Sequence, residues 1–196
     1  YSFFTGAIIF FIGIAASHAM PSDGWLTEQF VLLGDSKKNK MQAVKALVER
    51  ADPNYYALLK SMFKGEVYRL EERQEYGGIV LTGDELEDEY GDISVALYTP
   101  YPFPELILDT MGEPRRYALD DLAEIDTNRQ MRKLIQGYLL KMELFDKASS
   151  KRRAAAENMG NKGDASLLEI LTKAIVQEQE APVLQVMRAA KAKILL

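Results

Sequence analysis

The amino-acid sequence predicts an all-α, HEAT-like helical-repeat (α-solenoid) fold with a small β-hairpin-containing insertion. Three observations carry that expectation. An Asp-Pro step at Asp52-Pro53 joins two helical runs, the same pattern returns at Asp164, and the stretch at about 64–125 between them loses helical spacing.

The first pair of helices follows from local chemistry. Asp is a preferred N-cap and Pro a preferred first helical residue, where its missing N–H leaves no bond unmade, so a helix starts at Asp52. Tyr55, Leu58, Leu59, Met62 and Phe63 then recur at the spacing of one buried stripe. Upstream, Val44, Leu47, Val48 and Ala51 form a shorter stripe of the same period. The stretch reads as two antiparallel helices packed on each other.

Counting from Asp164 with the same offsets gives Leu167, Ile170, Leu171, Ala174 and Ile175, while Ala156 and Met159 stand where Val44 and Leu47 stand before Asp52. Two amphipathic helices joined at any Asp cap would align comparably; a repeat unit is the alternative of more consequence. After it, Val183, Val186, Met187, Ala190 and Ile194 mark a final helix with no successor to pack on. Helix-pair repeats bury their faces on neighbours, so the expectation is that the natural chain continues past Leu196.

The start of the chain is unlike the rest. Phe3 to Ala16 is an uncharged apolar run, followed by Ser17 and Ala19 at the −3 and −1 positions of a signal-peptidase site. A membrane-spanning helix needs about 20 residues, so this reads as a signal-peptide core rather than an anchor. The expected organisation is a signal peptide at 1–19 and a HEAT-like helical domain at 20–196, with its insertion at about 64–125.

Composition narrows the chemistry. The 24 basic and 29 acidic residues give a net charge of −5, and none of them lies in residues 1–19. That balance argues against a nucleic-acid footprint, which needs a basic face. There is no cysteine, and the single histidine is His18, within the segment expected to be removed. Thiol nucleophiles, imidazole bases and the common zinc and haem ligand sets fall away together, so no catalytic residue, no cofactor-binding residue, no metal ligand and no enzymatic activity are expected.

Within the insertion, "GEVYRLEE" and "GGIVLT" have strand character and suggest a hairpin or ribbon. The glycines of "EYGGIVLTGDE" lack the context of a phosphate loop and read as a turn. The acidic run Asp84, Glu85, Glu87, Asp88, Glu89 and Asp92 reads as a solvated loop; a Ca²⁺ site or paired catalytic carboxylates are the rival reading, without the alternating spacing of an EF-hand. Pro100, Pro102, Pro104 and Pro114 forbid a long helix between Thr99 and Arg115. Tyr98, Tyr101 and Phe103 are candidate partner contacts, since aromatics anchor interfaces; covering the protein's own core is their other role. The longest helix comes next, capped by a Thr127/Gln130 capping box, with Met131, Leu134, Ile135, Tyr138, Leu139 and Met142 in its stripe and Arg129, Arg132, Lys133 and Lys141 largely off it.

Taken in order, the signal-like start, "AVKALVERADPNYYALLKSMFKGEVYRLE", the turn Thr110-Met111-Gly112-Glu113-Pro114 and the helix opened by Asn128-Arg129 resemble the N-terminal exported region of the urea ABC transporter permeases, a branched-chain amino-acid permease-like family. The resemblance implies a module at the periplasmic face of the bacterial inner membrane, docking on or stabilising the membrane portion of the permease and other ABC transporter subunits, and contacting the solute-binding protein. It transfers no substrate-binding residue to this chain. The alternatives are a free periplasmic HEAT-like protein-interaction adaptor and a carboxylate enzyme or Ca²⁺ protein built on the acidic run.

Overall fold

The computed structural model describes residues 24–196. The signal-peptide reading of 1–19 lies outside the described residues. A helix that sequence spacing did not foretell, α1 (Gly24–Leu33), opens the structure and buries Leu26, Phe30 and Leu33.

The two Asp-capped pairs share one local plan. The first runs α2 (Lys37–Arg50), a left-handed Ala51, the N-cap Asp52, one 3₁₀ turn and α3 (Tyr56–Lys64). The second runs α5 (Ser149–Lys162), a left-handed Gly163, the N-cap Asp164, one 3₁₀ turn and α6 (Leu168–Gln177). Each Asp accepts a backbone N–H from two residues on, at 2.9 Å from Asn54 and 3.0 Å from Ser166. Helices within a pair, however, do not lie along each other. The close main-chain neighbours of α2 are α1 and α4 (Arg129–Glu143), and that of α3 is α4.

The fold is not an all-α solenoid. Five strands form an antiparallel sheet in the order β4-β3-β2-β1-β5, from β1 (Val67–Arg69), β2 (Ile79–Glu87), β3 (Ile93–Tyr98), β4 (Arg116–Ala118) and β5 (Ala123–Glu124). This mixed α/β arrangement replaces the expected HEAT-like stack, because the insertion builds a sheet with two buried faces. Alternation along β2 sends Ile79 and Leu81 to the helical core and Val80 to a second cluster with Leu70, Val95, Leu97, Ile107 and Leu122. The connection between β3 and β5 covers that second face.

Several local readings are corrected by the same geometry. Residues 77–83 are not one turn: Gly77 and Gly78, at positive φ, close a 3₁₀ turn, and β2 begins at Ile79. A side chain on Gly77 would sit 3.1 Å from the main chain of Phe30 and Val31, so that turn can lie against the end of α1 only as glycine. The acidic run is not a loop throughout, since Asp84, Glu85 and Glu87 lie in β2 and only 88–92 turn. The cap of α4 is Asn128, whose side chain accepts the Met131 N–H at 2.9 Å. Thr127 is occupied elsewhere, donating to Met62 O at 3.5 Å and accepting from Arg132 Nε at 3.0 Å.

Helix α4 joins two cores. Met131, Ile135, Tyr138 and Leu139 enter the core shared by α1–α3 and the sheet, and Leu140 and Leu144 enter the core of α5, α6 and α7 (Ala181–Leu195). The final helix is not unpartnered, as the spacing suggested: α7 packs on α5 and α6, with Val183, Met187, Ala190 and Ile194 buried. Its packing therefore gives no support to a continuing stack.

Candidate functional site

The three aromatics singled out in the insertion have different fates. Tyr98 and Tyr101 pack against the first core, and Tyr101 stands 5.8 Å from the Tyr55 ring and 6.5 Å from the Phe30 ring, centre to centre. Both are partly buried there. Phe103 is 63 % exposed and turns away from them.

The loop between Tyr98 and Leu106 makes that division possible. Thr99 closes it, with its N–H donating to Glu105 O at 2.9 Å, its hydroxyl donating to Phe103 O at 3.0 Å and its oxygen accepting the Glu105 N–H at 3.0 Å. The Tyr101-Pro102 peptide inside it is cis. Phe103 is thus carried on a short cross-braced loop, anchored by Tyr101.

Phe103 forms one wall of an open groove of about 740 Å³. Pro53 and Tyr56, from the first Asp-capped turn, form another, and Lys141, Met142, Phe145, Asp146 and Lys147, from the end of α4 and the turn after it, complete the lining. The surface is mainly apolar, and Phe145 is itself 43 % exposed. Apolar, aromatic-lined concavities with a few charges at the rim are the usual form of a binding surface.

The polar groups around it are mostly committed. Tyr56 Oη donates to Glu143 Oε1 at 2.8 Å, and burial first, then Glu143, push the phenol well above its ordinary range. Lys60 lies over the Tyr56 ring at 5.4 Å. Asp146 accepts from Ala148 N at 2.8 Å and Lys151 Nζ at 2.9 Å, which hold its carboxyl below the usual value. Lys141 and Lys147 make no ion pair among the described residues and leave the rim cationic.

The acidic run forms a projecting ribbon instead. Every residue from Gly83 to Ile93 is exposed, and Asp88 holds the tip by accepting the N–H groups of Tyr90 at 2.8 Å and Asp92 at 3.0 Å. Tyr90, at that tip, is 82 % exposed. Among the described residues no group of three or more His, Cys, Asp or Glu side chains is placed to hold a metal ion. Nor is any described helix long and apolar enough to cross a membrane.

Sequence pattern points to Phe103 but misses Tyr56, Met142 and Phe145 as its companions. Spacing places Met142 only in the buried stripe of α4, and Phe145, three residues further on, is the signal that the stripe continues past the helix end onto the surface. Comparison with protein-family models, curated proteins and solved structures finds no match to this chain.

Proposed function

We propose that this chain is the extracytoplasmic N-terminal part of a urea-type ABC transporter permease, working as a docking or stabilising module without catalytic chemistry of its own. The reading rests on the resemblance of the ordered segments around Asp52, Thr110–Pro114 and Asn128-Arg129. Its location is the periplasmic face of the bacterial inner membrane, and its partners are the membrane portion of the permease, other transporter subunits and the solute-binding protein.

The structural observation that carries the docking role is the Phe103–Phe145 groove. Two exposed aromatics and Met142 facing one hollow form an apolar surface that a monomer has no internal use for. Buried anchors of this kind supply most of the energy of an interface, each about 2 kcal/mol or more when truncated.

The test is urea uptake by cells carrying the full-length permease with Phe103→Ser and Phe145→Ser together. Uptake is expected to fall at least about tenfold, with permease abundance in the membrane unchanged, because losing two anchors weakens docking by more than about 1.4 kcal/mol. Unchanged uptake and unchanged co-purification of the transporter subunits would remove the proposal.

A further inference from the structure

We infer that the groove at Phe103 receives the acidic β2–β3 ribbon of a second copy of this chain, with Tyr90 as the inserted side chain. This deepens the docking reading and rests on it, by naming the occupant of the same groove.

The two surfaces are complementary in both respects that matter. The groove is apolar, with Lys141 and Lys147 at its rim and its lining carboxylate, Asp146, paired with Lys151. The ribbon presents Tyr90 at 82 %, Leu86 at 54 % and Ile93 at 40 % exposure, interleaved with Asp84, Glu85, Glu87, Glu89 and Asp92, none of which forms an ion pair among the described residues. An apolar tip with carboxylates around it fits an apolar hollow with ammonium groups around it. The Tyr ring brings a large contact area with few rotatable bonds to freeze.

The topology rules out a match within one copy. The ribbon tip precedes the first residue of β3, Ile93, whereas Phe103 follows its last residue, Tyr98. Tip and groove therefore lie beyond opposite ends of a six-residue strand, roughly 20 Å long at about 3.3 Å per residue. The exposure of both sides of the ribbon shows that it stands clear of the body, free to reach another molecule. The contact is heterologous: each copy offers a tip at one end and a groove at the other.

Such a contact is small. A Tyr ring and its neighbours bury a few hundred Å² (order of magnitude), below the roughly 1,200 Å² of a stable interface, so the association is weak and is best trapped covalently. The chain has no cysteine, which makes single introduced thiols site-specific reporters. Whole chains carrying Glu89→Cys, next to Tyr90, and Pro104→Cys, next to Phe103, keep both anchors and are mixed in equal amounts and oxidised. Both sites are exposed, and unchanged thermal unfolding of each variant establishes that it folds.

The expected result is a Glu89→Cys to Pro104→Cys heterodimer in clear excess over the half that random pairing gives, and adding Tyr90→Ser to the Glu89→Cys chain is expected to remove that excess. Adding Lys141→Glu with Lys147→Glu to the Pro104→Cys chain, or raising the salt, is expected to abolish that excess. Random proportions, or an excess indifferent to rim charge, overturn the second-copy assignment. If random proportions accompany lost uptake in the Phe103→Ser, Phe145→Ser permease, the docking role stands with another occupant. If uptake is also unchanged, both readings fall.

Discussion

Arg152 and Glu178 meet at two points, Nε to Oε2 at 2.7 Å and Nη2 to Oε1 at 3.0 Å, with side chains only 15 % and 3 % exposed. The guanidinium also donates from Nη1 to Asp146 O and Lys147 O, both at 2.9 Å, and from Nη2 to Glu180 Oε1 at 3.0 Å. All five N–H donors are used. Arg152 therefore ties the α4–α5 turn, which forms one side of the Phe103 groove, to the linker between α6 and α7.

Removing one member of a buried pair strands its partner. Arg152→Ala leaves the Glu178 carboxylate buried with only the N–H groups of Gln179 and Glu180, and frees two backbone carbonyls. The expected loss is about 1.5–3 kcal/mol in guanidinium-induced unfolding, since the pair lines an open surface pocket and is not sealed in the core. Glu180→Ala, at a side chain 54 % exposed, is expected to cost about 1 kcal/mol or less. Equal losses would mean that the grip on Glu178 has no special weight.

The same pair sets an acid limit. Arg152 holds the Glu178 carboxyl below its ordinary value near 4.5, against the opposing pull of burial, with the Glu180 N–H adding to the effect. A carboxyl depressed in the folded state is protonated more readily when unfolded, so its stabilisation is complete above the unfolded value and lost as pH falls through the folded one. Asp146, held down by Ala148 N–H and then Lys151, acts in the same direction from 3.8. Unfolding free energy should be nearly level from about pH 7 to about pH 5 and fall below that. Glu178→Gln is expected to lower the plateau and flatten the acid slope; an unchanged slope in that variant would assign the acid loss elsewhere.

What the sequence displayed and what it hid divide along a physical line. The Asp52 and Asp164 caps were legible because a cap is a two-residue affair, between Asp52 Oδ1 and Asn54 N or Asp164 Oδ1 and Ser166 N. The stripe of α4 was legible because one face of it is buried along its length. The ribbon 83–93 was not, since neither face touches a core and no apolar alternation marks it; only the cross-strand register, such as Glu85 with Val95 and Glu87 with Ile93, makes it a strand pair. Thr127 and Asn128 are both competent caps, and the choice fell to Asn128 because Met62 and Arg132 claim the Thr127 hydroxyl. Phe103 was visible as an aromatic among prolines, but the groove needs Tyr56 and Phe145 from segments that only tertiary folding brings to it.

Two glycines in helices predict opposite outcomes for one substitution. At Gly160, on α5, a Cβ would stand 2.8 Å from Ala190 Cα and 3.0 Å from Ala190 Cβ, so glycine is what lets α7 lie so close. Gly160→Ala must push the two helices apart, at an expected cost of about 1–3 kcal/mol. At Gly137, on α4, a Cβ would meet nothing within 4 Å, and Gly137→Ala should gain about 0.5–1 kcal/mol from reduced backbone freedom in the unfolded chain. Guanidinium unfolding gives both values, and amide exchange shows where the first one falls. If α7 is held by α5 as closely as the contact implies, Gly160→Ala loosens 181–195 before it affects the first core, because Val183, Met187 and Ala190 belong to the second core. Protection in α7 unchanged by Gly160→Ala would mean that the helix is held chiefly by α6, and that the close approach at Ala190 is a consequence of the packing and not its condition.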